Sequence, residues 1–270
     1  MALDIMGPGS KLIPAGLSPR PHGPIYKDEQ RARMNKNKET PVARRSGDAD
    51  IAAFVGAARR APAPTVQSSR GRLIFALDAT MSRQPTWDLA QSLQAKMFQA
   101  AAGLGGLEVQ LVYFRGWNEC RASVFVSGGQ GLAELMSRIA VRGGATQIRK
   151  VLAHARDEAS RAKVAALVFV GDAMEENPDA LAALAGELAL RGVKAFMFQE
   201  GHDPAARRTF NEIARLTGGA YSAFDAGASD RLASLLRAAA AYAAGGYVAL
   251  AREAAADTTV RLLLGQMPKV

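Results

Sequence analysis

Three oxygen-rich segments hold the side chains of this sequence best suited to chemistry. They are Asp78-Ala79-Thr80-Met81-Ser82, then Gly143-Gly144-Ala145-Thr146, then Gly171-Asp172-Ala173-Met174-Glu175-Glu176. Alternate spacing at 78, 80 and 82 lets one loop turn a carboxylate and two hydroxyls toward a common point. These are hard oxygen donors, suited to Mg²⁺ or a similar divalent ion, and the three segments contain none of the imidazole or thiolate donors that Zn²⁺ favours. Taken alone, Asp-x-Thr-x-Ser is also an ordinary turn or helix-cap signal, so its place in the fold decides its meaning. Glu175 and Glu176 read as the solvated approach to a helix that starts after Pro178.

Other chemistries find less support. Gly103-Leu104-Gly105-Gly106 follows a helical pattern and precedes a strand, the reverse of the order a phosphate cradle needs, and reads as a helix C-cap and turn. Asp78-Ala79-Thr80 is similar to the nucleophile run of haloacid dehalogenase-like phosphatases, which carry a second Asp where this chain has Thr80. That leaves a metal-dependent phosphotransfer or hydrolytic enzyme as a remote alternative. His154 falls mid-helix and His202 in a loop, with no Ser nucleophile on an elbow to make a triad. The single Cys120 has no partner for an intramolecular disulfide and no redox motif around it. Trp87 starts a helix beside the first oxygen-rich loop and reads as a core anchor.

From residue 72 onward, strand-like and helix-like segments alternate with short connections, which predicts a doubly wound, mostly parallel α/β sheet covered on both faces. Strands are expected over 72–78, 107–114, 121–126, 164–171, 193–199 and 220–224, the last a short edge strand. Helices are expected over 85–104, 131–139, 147–159, 179–191, 204–216 and 229 to about 244. The link between the second and third strands, around Gly116, Trp117 and Asn118, is too short for a helical crossover, so these two are antiparallel neighbours. The unbroken apolar runs at 165–170 and 195–198 suit central strands buried on both faces. In such a sheet, ligands bind beyond the carboxyl ends of the strands. Two of the oxygen-rich segments directly follow predicted strands and the third is a turn before a helix, so each falls at a predicted loop of this one sheet.

At this point the sequence resembles the von Willebrand factor type A (VWA) family. Its metal-ion-dependent adhesion site (MIDAS) is written Asp-x-Ser-x-Ser, then a Thr, then an Asp. The matching residues are Asp78, Thr80, Ser82, Thr146 and Asp172, with Thr80 where the family usually has Ser. Gly143-Gly144-Ala145-Thr146-Gln147-Ile148 is similar to the family's Gly-Gly-Thr-x-Ile, with Ala145 as an extra residue. The resemblance covers about residues 72–245 and extends to the antiparallel strand pair. It implies that Thr80 and Ser82 bind the cation (Mg²⁺, or Mn²⁺ or Ca²⁺) directly and that Thr146 binds directly or through water. Asp78 and Asp172 would act largely through water and hydrogen bonds. It further implies an open coordination position that accepts an acidic side chain from a protein partner, and a non-enzymatic module working within a multiprotein assembly, of the kind found beside AAA+ ATPases or chaperones.

The chain has 270 residues, 49% of them hydrophobic and 22% charged, with a net charge of +9. That charge is uneven: residues 1–70 hold twelve Lys and Arg against six acids, and eight of the twelve prolines. This stretch reads as a disordered basic tail with a short helix near 48–58, followed by the domain at 71–245 and a C-terminal extension at 246–270. A basic tail admits the alternative of a nucleic-acid-associated protein, although Tyr26 and Phe54 alone offer little base stacking. With no apolar run of spanning length and no signal-like start, the expected location is cytoplasmic.

Overall fold

The computed structural model describes residues 70–80, 84–102, 106–225 and 228–269. The tail and its short helix near 48–58 lie outside the described residues, as does Ser82. Six strands form one sheet: β1 (Gly71–Asp78), β2 (Leu107–Arg115), β3 (Glu119–Val126), β4 (Ala166–Gly171), β5 (Lys194–Glu200) and β6 (Ala220–Phe224). Their order is β3-β2-β1-β4-β5-β6. Every pairing is parallel except β2 with β3, as the short link between them requires.

Seven helices cover the sheet among the described residues. They are α1 (Gln84–Ala102), α2 (Gly129–Ser137), α3 (Ile148–Arg161), α4 (Pro178–Leu190), α5 (Pro204–Thr217), α6 (Ser229–Ala256) and α7 (Thr258–Leu264). Side chains alternate across a strand, and β1 divides accordingly. Leu73, Phe75 and Leu77 join a core that includes Trp87, Met136, Leu236 and Leu263, from α1, α2, α6 and α7. Ile74 and Ala76 face the opposite way, into a second core with Val151, Leu181 and Phe210 from α3, α4 and α5. Because both faces are covered, β4 and β1 are apolar almost throughout, with no polar alternation.

The predicted end of the last long helix near residue 244 coincides with a real break. Gly246 adopts φ 65° and ψ −158° inside α6, a backbone state natural to glycine, and helical geometry resumes beyond it. The chain after the break returns to the domain. Leu250, Ala254, Val260, Leu263 and Met267 are buried in the first core. Asp257 accepts hydrogen bonds from the Thr259 and Val260 amides, capping α7, and from Arg237 Nη2 at 2.7 Å. Beyond α7, the Gln266 side-chain amide pairs with the Tyr221 backbone of edge strand β6. Its oxygen accepts from the Tyr221 N–H and its nitrogen donates to the Tyr221 carbonyl, both at 2.9 Å.

Candidate functional site

The carboxyl end of β1 is the starting point. Asp78 closes the strand at 4% exposure, and its Oδ1 accepts the Thr80 N–H at 2.8 Å, turning the chain sharply as Asp commonly does. Thr80 is also buried, at 8% exposure. The intervening Ala79 is held from two sides: its N–H donates to the Phe114 carbonyl at 2.9 Å and its carbonyl accepts from Arg142 N–H at 3.0 Å. Neighbouring β4 runs in register, Leu77 opposite Val170, and Asp172 follows the strand's last residue, Gly171. Asp78 and Asp172 therefore emerge from adjacent strands at the same edge of the sheet.

The third segment is tied to the second by a reciprocal pair of bonds. Thr146 N–H donates to a Glu175 carboxylate oxygen and Glu175 N–H donates to Thr146 Oγ1, each at 3.3 Å. Glu176 then accepts from the Ile148 and Arg149 N–H groups, the first two of α3. Gln147, the residue at the cap position, provides no side-chain cap of its own, so a carboxylate from another loop satisfies the helix terminus and meets its positive end. Burial pushes the Glu176 carboxyl above its ordinary range, opposed by those two backbone bonds, the Arg149 charge and the Thr146 hydroxyl. The expectation of two solvated glutamates holds for Glu175, which is exposed, and is corrected for Glu176, which is half-buried. Both also bond across loops, because the β4 loop folds back onto the start of α3, a contact between segments 28 and 29 residues apart.

Four of the five sequence-predicted residues, Asp78, Thr80, Thr146 and Asp172, thus sit on three loops at the carboxyl edge of β1 and β4; Ser82 lies outside the described residues. Among the described residues no cluster of three or more His, Cys, Asp or Glu is arranged to hold a metal. A cation here would depend on hydroxyl ligands beside the two aspartates. That donor set fits a hard, oxygen-seeking ion.

One acid at this edge escaped the sequence reading. Glu200 ends β5 at 9% exposure, and the Thr86 hydroxyl at the start of α1 donates to it across 114 residues. The available signal was the same as for Asp78, an acidic residue closing an otherwise apolar strand. The remaining titratable candidates are accounted for structurally. His154 Nε2 lies 2.8 Å from Gln110 Oε1, and burial holds its pKa down. Burial raises the Cys120 thiol to about 11, so it is protonated at neutral pH. Trp87 is 2% exposed and meets Tyr113 edge-on, the core anchor expected.

No protein-family model matches the sequence, and no curated protein matches it. Solved structures do. Proximal thread matrix protein 1 from the mussel byssus, in a form with a zinc-occupied MIDAS motif, is similar over 63% of this chain and 45% of its own, with 16% identity and a TM-score of 0.50. The fold is that of a VWA domain. An aerotolerance-related membrane protein from Bacteroides fragilis has 17% identity over 63% of this chain and 98% of its own, with a TM-score of 0.48. The SpRpn10 VWA domain has 12% identity over 60% and 93%, with a TM-score of 0.49. This chain spans less than half of the mussel protein and nearly all of the other two. No helix among the described residues is long and apolar enough to cross a membrane.

Proposed function

We propose that this VWA domain is a metal-dependent protein-binding module, not an enzyme. The cation, Mg²⁺ or a similar divalent ion, would be held by Asp78, Thr80, Ser82, Thr146 and Asp172. The supporting observation is the placement of carboxylates and hydroxyls on three separate loops at one edge of the sheet, joined by cross-loop hydrogen bonds. Loops tied in this way are positioned before any ligand arrives, which lowers the ordering cost of binding. A divalent ion with mostly neutral hydroxyl ligands supplies an electrophilic position that attracts a carboxylate. Thr80 and Thr146 would present oxygen to such an ion, while Asp78 and Asp172 would orient water and hydroxyl donors. The partner group would be an Asp or Glu side chain of another protein. No activated nucleophile or acid–base pair accompanies these residues among those described, which favours binding over turnover.

Calorimetric titration with Mg²⁺ and Mn²⁺ tests the proposal. Wild-type protein is expected to bind one ion with measurable heat, and folded Asp78→Ala and Ser82→Ala variants are expected to lose that heat. Unchanged binding in both variants would place the ion elsewhere and defeat the assignment.

A further inference from the structure

We infer that the β2–β3 turn carrying Trp117 forms the second half of the partner-binding face and receives an apolar side chain of an acidic peptide segment. The carboxylate half of this inference rests on the metal site proposed above; the aromatic half stands on separate observations.

The two tryptophans of the chain differ sharply: Trp87 is 2% exposed and Trp117 is 86% exposed. An exposed aromatic gains meaning from what holds it. The Gly116 carbonyl accepts the Ala145 N–H at 3.2 Å, and Gln147 Nε2 donates to the Arg115 and Gly116 carbonyls at 3.2 and 3.3 Å. On the other side of Trp117, Lys150 Nζ donates to the Asn118 carbonyl at 3.0 Å. Gly144 packs so tightly against Gly116 that a Cβ at Gly144 would lie 2.0 Å from the Gly116 oxygen. The residues that clasp the turn are thus the immediate neighbours of Thr146. A bulky indole on a rigid support beside a candidate ligand loop loses little freedom on binding, and tryptophan is among the residues that dominate interface energetics.

Charge selects the partner. Arg142 runs alongside Gly116, its Cδ 3.9 Å from where a Cβ would stand. Arg142 and Arg149 are exposed and make no ion pair among the described residues, while Arg115 and Arg121 share the single carboxylate of Glu119. The surroundings of Trp117 therefore favour a negatively charged segment. A nucleic acid would also meet positive charge and an aromatic. However, one indole is a short stacking platform for bases, whereas a single apolar side chain is matched by it. An acidic peptide places one carboxylate at the cation and others near the arginines, with a Leu, Phe or Trp against Trp117.

The test is selection of a displayed random-peptide library on the full chain in Mg²⁺, followed by fluorescence anisotropy with the best-enriched peptide and, separately, with a labelled oligo-dT strand. The expected peptides are acidic with at least one large apolar residue. Trp117→Ala is expected to weaken the peptide by about thirtyfold, in the range of interface hot spots, and the Arg142→Glu/Arg149→Glu pair to weaken it further. Both changes are on exposed side chains, so circular dichroism should be unaltered. The inference is overturned by selection of no peptide or of non-acidic peptides, by wild-type affinity in Trp117→Ala, or by oligo-dT binding that depends on Trp117. A chelator and Asp78→Ala separate the two proposals. Peptide binding lost in Trp117→Ala but kept in chelator supports the aromatic site and sinks the metal site. Binding lost in chelator but kept in Trp117→Ala does the reverse.

Discussion

At the β6 edge of the sheet the chain satisfies its own backbone, through the paired hydrogen bonds between Gln266 and Tyr221 and with α7 packed beside them. At the opposite edge, among the described residues, no element other than β2 hydrogen-bonds to β3. There Val124 is 74% exposed, and Trp117 projects from the adjoining turn. An open edge is a template for unwanted pairing, and Arg121, with its side chain 70% exposed, is the type of charge that discourages it. The difference separates two uses of surface. One edge is closed by the C-terminal segment as part of the core, and the other, which adjoins the candidate site, is left uncovered by the described residues.

The largest effect should come from breaking the closed edge. Leu263 is 1% exposed in the core that α7 completes, so Leu263→Ala should cost about 2–5 kcal/mol in urea unfolding. A loss below about 1 kcal/mol would mean that α7 is an appendage.

Next comes the charge that fastens the segment. Asp257 has its carboxyl below the ordinary value: burial pushes it up, but hydrogen bonds from Ser234 and the Val260 and Thr259 amides, with the Arg237 charge, outweigh that. A depressed carboxyl contributes stability that is complete above its unfolded value near 3.8 and is lost as pH falls through the lower folded value. Asp257→Asn should therefore melt below wild type at neutral pH, and the gap should close under acid. A gap that persisted unchanged there would deny the charge its role.

The smallest pair of effects sets the two edges side by side. Gln266→Ala removes the two hydrogen bonds to Tyr221 at an exposed edge, together with one to the Leu262 carbonyl, and should cost about 1 kcal/mol, with more self-association in light scattering. Trp117→Ala should change stability by no more than about 0.5 kcal/mol, because its indole touches little of the fold. Equal losses in the two variants would erase the contrast between the edges.

Much of the placement of the candidate site was legible because its signals are local. Asp78, Thr80 and Asp172 stand at the ends of apolar runs, and apolar runs of strand length in an alternating α/β pattern place their carboxyl ends together. The antiparallel β2–β3 pair followed from link length alone. Glu200 was missed, although it ends β5 by the same rule, because its partner Thr86 lies 114 residues away. The role of Glu176 was misread because a Glu-Glu-Asn-Pro run has the composition of solvated helix approaches, and only the folding of the β4 loop onto α3 supplies N–H groups to meet it.

The sequence by itself determined the order of elements, the two-faced sheet and the loops that carry oxygen donors, since periodicity, turn residues and link length act within a few residues of one another. Tertiary structure alone decided which edge of the sheet is closed, what clasps the Trp117 turn, and where residues 246–269 go. The apolar stripe of Val260 and Leu263 suits a partner as well as its own core. Between those outcomes the choice depends on whether the break at Gly246 returns the chain to a complementary surface, and that is a property of the assembled fold.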